Sequence, residues 1–204
     1  PTRRSSDLLE KDPLFCGLGQ WILRTAVTNA KKIMEINPDF VVNVNLSYTQ
    51  LEKPDFVDMV YRTLSDASFP PDHLCLEITE RCRLLDTDHL KNMFAAFRSH
   101  GIKVALDDFG TGFSSLGVLR ELPVDTVKID REFVKNIESS PSDQNTVEFI
   151  SGLANAFAAE VCVEGVETES MRDFLRGFLV NSFQGYLYSK PVTKQELDNV
   201  TLKK

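Results

Sequence analysis

The sequence predicts an α/β domain built on a parallel sheet, and three observations carry that reading. Short apolar runs alternate with longer amphipathic stretches along the chain, the pattern of successive βα units. The short runs are apolar on both faces, as strands covered from both sides are. No linker-like or low-complexity stretch interrupts residues 8–200, so a single domain is expected there.

The elements follow in order. A first helix is expected over about 17–36, where Leu18, Trp21, Ile22, Ala26, Ala30 and Ile33 recur at steps of three and four. Asn37-Pro38-Asp39 breaks it, and FVVNVN (40–45) reads as a strand. Residues 54–66 read as a helix, with Pro54 in its first turn and Phe56, Met59, Val60 and Leu64 on one face. Pro70-Pro71 stops it, and HLCLEI (73–78) forms the next strand. The helix over 87–100 turns Leu90, Met93, Phe94 and Phe97 inward, ahead of the strand IKVALD (102–107). A short helix near 115–121 and the strand DTVKI (125–129) come next. A helix over 143–158 places Val147, Ile150, Ala154 and Phe157 at helical spacing. The strand EVCVEG (160–165), a helix over 168–177, a last strand near 180–184 and a closing helix from Thr193 complete the chain. That makes six strands. No G-x-G-x-x-G follows the first of them, which argues against a dinucleotide-binding fold. The alternative is a (β/α)8 barrel, which needs eight units and typically ~250 residues, so this chain is about two strands short. Residues 1–7, PTRRSSD, have no periodicity and are set apart as a tail or artefact.

Composition narrows the function. The 204 residues carry a formal net charge of −7, which argues against a binder of nucleic-acid duplexes. A phosphate-bearing ligand stays compatible, because divalent cations invert local charge. No apolar run approaches the ~20 residues of a membrane helix, so no membrane contact by this domain is expected. Cys16, Cys75, Cys82 and Cys162 form no C-x-x-C pair and read as reduced structural cysteines of a cytoplasmic domain. His73, His89 and His100 lack zinc-site spacing and read as surface residues.

The polar residues near the strand ends carry the chemistry. The six runs deliver Asn45, Glu77, Asp107 with Asp108, Lys128, Glu164 and Gln184. Strands also end where polar loops begin, but turn chemistry favours Gly, Asn, Asp and Ser, whereas Glu, Lys and Gln stand here. In a barrel such ends converge on the face where active sites lie. One amide oxygen and four carboxylates, without histidine or cysteine, are hard donors suited to Mg²⁺, Mn²⁺ or Ca²⁺ rather than zinc. Adjacent aspartates can serve two metals, and such a set suits phosphoryl or enolate chemistry.

At VNVNLS (42–47), LEITE (76–80), VALDDFGTGFSSL (104–116), LPVDTVKIDREFV (122–134), VEGVET (163–168) and QGYLYSKP (184–191), the chain resembles the EAL-domain family of cyclic-di-GMP phosphodiesterases. The resemblance implies a TIM-like (β/α)8 barrel with one antiparallel strand near its start. It implies hydrolysis of cyclic-di-GMP to the linear dinucleotide pGpG with two Mg²⁺ or Mn²⁺ ions. By position, Asn45, Glu77 and Asp107 match first-metal ligands, with Asp107 also facing the second metal, and Asp108 matches a second-metal ligand. Lys128 and Glu164 match the residues that hold and activate the attacking water, and Gln184 a residue lining the site. Glu80 and Glu167 match supporting acids, Glu80 by anchoring the loop after the aspartate pair. The family also allows a homodimer through helices beside the barrel.

The family's Glu-Ala-Leu motif and a nearby phosphate-binding arginine have no match. The expected reading is therefore an incomplete barrel with about six of eight strands, the domain of a longer enzyme. The alternatives are an inactive or degenerate domain that binds cyclic-di-GMP or a protein, and an enolase-like barrel. Expressed alone, the 204-residue chain should show no appreciable turnover of cyclic-di-GMP with Mg²⁺ or Mn²⁺. Product analysis by chromatography checks this, and turnover matching a complete domain would overturn it.

Overall fold

The computed structural model describes residues 15–79, 81–82, 85–110, 115–193 and 195–197. The chain divides after Val104 into two compact units. The first holds α1 (Phe15–Met34), β1 (Val42–Leu46), α2 (Tyr48–Leu51), α3 (Phe56–Ala67), β2 (Leu74–Thr79) and α4 (Thr87–Ser99). The second holds most of β3 (Lys103–Phe109), then α5 (Ser115–Glu121), β4 (Thr126–Ile129), α6 (Pro141–Ala156), β5 (Glu160–Val163), α7 (Glu169–Leu175) and β6 (Ser182–Phe183). In the first unit β1 and β2 lie side by side, and in the second β3 to β6 follow one another in chain order. The pairings β1–β2, β3–β4, β4–β5 and β5–β6 are all parallel, so the α/β class and the six strands stand as expected. The antiparallel strand that the resemblance implied has no counterpart among the described residues.

Local chemistry sets the element boundaries. The Asp86 side chain accepts from the His89 N–H at the start of α4, and that of Thr168 from Met171 at the start of α7. Such caps satisfy N–H groups that a helix leaves unpaired. Ser140 caps α6 and Pro141 occupies its first position, so this helix starts two residues earlier than periodicity alone suggested. Pro54 precedes α3, which begins at Phe56 after Asp55. Short 3₁₀ turns at Pro71–His73 and Arg131–Phe133 were not foreseen.

In the first unit, α1 packs on β1 and α3, and α3 on α4. Leu90, Met93, Phe94 and Phe97 of α4 are all buried, as their spacing predicted. On α1 the helix forms where expected, but the residues whose spacing marked it are not all turned inward. Leu18, Trp21 and Ile22 are 44%, 62% and 43% exposed, while Leu23, Val27 and Ala30 are buried. The segment Leu18–Val27 is apolar around much of its circumference, so two interleaved stripes satisfy helical spacing. Contact with β1 and α3 decides between them.

In the second unit, α6 lies against β4 and β5 and buries Val147, Ile150 and Ala154. Phe157 caps the C-terminus of α6 and is 40% exposed, because the helix ends before its turn. Two of the three histidines are less peripheral than expected, whereas His100 is exposed. His73 Nδ1 lies 2.7 Å from the Phe40 carbonyl and His89 Nε2 2.9 Å from that of Leu51, both half-buried. Cys75 and Cys82 are buried and Cys162 is half-buried, and no described helix is long and apolar enough to cross a membrane.

Gly185 closes the second unit's last turn. A Cβ there would lie 2.2 Å from the Val166 carbonyl oxygen and 2.4 Å from its nitrogen. Gly185→Ala should therefore push two backbones apart and lower stability by about 1–3 kcal/mol, measured by denaturant unfolding. An unchanged midpoint would show that the turn yields freely.

Candidate active site

In the first unit the site residues stand on β1 and β2. Side chains alternate along a strand, so Val44 and Leu46 of β1 are buried while Asn43 and Asn45 share the other, exposed face. β2 is buried from Leu74 through Ile78, and Glu77 lies within that run at 4% exposure. Asn45 and Glu77 are register partners, which sets the expected amide and carboxylate side by side. A carboxylate at this depth needs a polar partner. Asn43 Nδ2 donates to Glu77 Oε1 at 2.7 Å. Sequence reasoning passed over Asn43, although it shares a face with Asn45 two residues away.

In the second unit, Lys128 lies inside β4 at 3% exposure. Its Nζ is 2.6 Å from Glu164 Oε1 and 3.4 Å from Asp107 Oδ1. β4 pairs with β3 on one side and β5 on the other. The central strand thus sets its ammonium between a carboxylate of β3 and one just beyond β5. At this depth the pairing strengthens, because water screens it little.

Asp107 and Asp108 do not end their strand, which continues to Phe109. The β3–β4 register shifts between Leu106 and Phe109, and Asp108 has φ +54°. Its backbone N–H is bonded to Asp107 Oδ1 at 3.0 Å. Such an irregularity re-aims a side chain beside a site, and Asp is one of the few residues that tolerates left-handed backbone. A bulge leaves no periodic trace, so the sequence showed only the residue type that permits it.

Gln184 follows β6. Its N–H donates to the Val163 carbonyl at 2.8 Å, its carbonyl accepts from Val166 N at 3.1 Å, and its side chain is exposed. Leu187 N–H donates to the Val166 carbonyl at 3.0 Å, so the turn at Gly185 is stitched to the segment after β5. Glu167 lies exposed on that segment, directly before the Thr168 cap of α7. Glu80 lies outside the described residues, as does the turn beyond Gly110.

The structure therefore joins Asn45 to Glu77 by register, and Asp107 to Glu164 through Lys128. Among the described residues no group of three or more His, Cys, Asp or Glu side chains is assembled to hold a metal ion. The donors at Asn45, Glu77, Asp107 and Asp108 are nevertheless all oxygens, and in that chemistry they fit Mg²⁺ or Mn²⁺.

The EAL-domain family model matches residues 1–191. The chain belongs to the EAL-domain family. The matched range takes in residues 1–7, whose structure lies outside the described residues. A bifunctional diguanylate cyclase/cyclic di-GMP phosphodiesterase of Pseudomonas aeruginosa, MucR, is 34% identical over 191 residues, 93% of this chain and 28% of MucR. The chain thus spans little more than a quarter of that relative's length. The EAL enzyme Bd1971 in its cAMP- and cyclic-di-GMP-bound form superposes with a TM-score of 0.91 at 31% identity, covering 98% of this chain and 55% of that one. Klebsiella pneumoniae BlrP1, in a manganese and cyclic-di-GMP complex, superposes at 0.80 with 27% identity, covering 89% and 46%. The EAL fold thus accounts for the parallel strands and the order of the motifs.

The backbone at Asp108 separates stability from site chemistry. Asp108→Gly should be more stable than Asp108→Ala by about 1 kcal/mol, because only glycine adopts this φ without Cβ strain. Thermal unfolding of the two variants measures the difference, and equal stabilities would remove the strain argument.

Proposed function

We propose that the chain is the cyclic-di-GMP-hydrolysing domain of a longer signalling protein, converting the cyclic dinucleotide to linear pGpG with Mg²⁺ or Mn²⁺. The observation that carries this reading is the buried Lys128 ammonium, held at 2.6 Å from Glu164 and 3.4 Å from Asp107. A cation in a dry strand interior, flanked by carboxylates, is poised to meet the charge of a phosphate. The cyclic-di-GMP phosphodiesterase name of MucR, the bound dinucleotide of Bd1971 and the manganese of BlrP1 support the same substrate and cofactor class.

In this reading Asn45, Glu77, Asp107 and Asp108 hold the cations, which when bound stabilise charge developing on the phosphate. Glu164 accepts a proton from the attacking water, the water oxygen bonds to phosphorus, the P–O3′ bond breaks, and the departing O3′ takes up a proton from solvent. Lys128 orients Glu164 and offers positive charge to the phosphate. Gln184 lines the site and holds the water in line, Glu167 supports the segment that carries Glu164, and Glu80 anchors the loop after the aspartates. We place the domain in the cytoplasm, where cyclic-di-GMP and reduced thiols occur together, and allow for a homodimer.

Glu77→Ala in the full-length polypeptide should reduce hydrolysis by more than about 100-fold, since loss of a mere supporting partner of a ligand costs 10–100-fold. Chromatographic assay of pGpG with Mn²⁺ checks this. Retained activity would remove Glu77 from the ligand set. Dinucleotide binding by the wild type without any turnover would instead assign a sensing module.

A further inference from the structure

Asn43 is the neighbour of Glu77 to which the family resemblance gave no role. It sits two residues before Asn45 on the same face of β1, and its own register partner on β2 is Cys75, two residues before Glu77. Its amide therefore reaches Glu77 diagonally across the strand pair, within the range that longer side chains span. The bond is short, 2.7 Å, and runs from Asn43 Nδ2 to Glu77 Oε1. Its polarity is set by chemistry, because an ionised carboxylate only accepts and so the amide nitrogen must face it.

We propose that Asn43 is a positioning residue that presents Glu77 to a divalent cation. The inference rests on the functional reading above. Glu77 stands at 4% exposure in a strand buried from Leu74 through Ile78, so the rotamer of its carboxylate is decided by the few polar groups within reach. A neutral donor has one advantage over a lysine or arginine in this place. It fixes the carboxylate without cancelling its charge, and one N–H takes up only one of the roughly four lone-pair positions of a carboxylate. The charge and the remaining acceptor capacity are what a hard cation requires. Groups that orient metal-ligating carboxylates in this way act on metal affinity more than on the chemical step. Asn43 and Asn45 thereby divide the work of one strand face: Asn45 is the expected ligand, and Asn43 aims the ligand on the next strand.

The test uses the full-length polypeptide carrying Asn43→Ala and Asn43→Leu, the second preserving bulk without a donor. Free Mn²⁺ is followed by electron paramagnetic resonance during titration, and turnover of cyclic-di-GMP is measured over the same Mn²⁺ range. Both variants should require about 10–100-fold more Mn²⁺ for half-saturation, while kcat at saturating Mn²⁺ falls far less. Asn43→Gln, which keeps an amide donor, should recover part of that loss. In a Glu77→Ala background, Asn43→Ala should add nothing, since the two act as one unit. A merely structural bond would lower the metal-free unfolding temperature and leave the Mn²⁺ requirement unchanged, and that result overturns the proposal. Unaltered Mn²⁺ binding in both variants overturns it too, and leaves the functional reading intact. A wild type that neither binds Mn²⁺ nor cleaves cyclic-di-GMP overturns the functional reading and this inference with it.

Discussion

Charged groups buried within a parallel sheet must be met by partners on adjacent strands, and that constraint organises this molecule. Lys128 lies in a strand whose flanking positions, Val127 and Ile129, are fully buried. Its ammonium would be untenable there without Glu164 and Asp107 at 2.6 and 3.4 Å. Each partner comes from a neighbouring strand region, so the position of the charge depends on the register of three successive strands. Glu77 is subject to the same constraint in the first unit, where the Asn43 amide donates to it. The difference is chemical. An ammonium between two carboxylates offsets one of their two negative charges, whereas an amide offsets none of its carboxylate's.

Backbone irregularities then place what the regular strands cannot. A β-strand offers side chains only to one face or the other, so two adjacent aspartates would point to opposite sides. The register shift after Leu106 and the left-handed backbone at Asp108 break that alternation. The turn at Gly185 acts in a similar way on the segment after β5. Two hydrogen bonds join it to Val166, at an approach too close for any side chain. Gly165, at φ +73°, would set a Cβ 2.4 Å from that of Arg131. The glycines of VEGVET and QGY are therefore explained by close packing, independent of chemistry.

Legibility varied with how many residues acted together. Helix α4 was read correctly down to its four buried side chains because a single apolar stripe faced one way. Helix α1 was legible as a helix but not in its buried face, because Leu18, Trp21 and Ile22 compete with Leu23 and Val27 at the same spacing, and periodicity holds no information about which stripe meets a partner. The strand-end acids and Lys128 were visible as a set, since charged residues inside apolar runs are costly and so conspicuous. Asn43 was not visible, because an asparagine on an exposed strand face is ordinary until its partner on the next strand is known.

By itself the sequence determined the α/β class, the six strands, the family and the residue types that oxygen-loving cations and a phosphate would meet. These follow from composition and local order, which the chain carries residue by residue. Only the tertiary structure decided that Lys128 joins Asp107 to Glu164, that Asp108 leaves the strand's alternation, that α1 turns Leu23 and Val27 inward, and that Asn43 holds Glu77. Each of those is a relation between segments far apart in sequence, settled by register and by competition for burial. No single stretch of the chain contains that information.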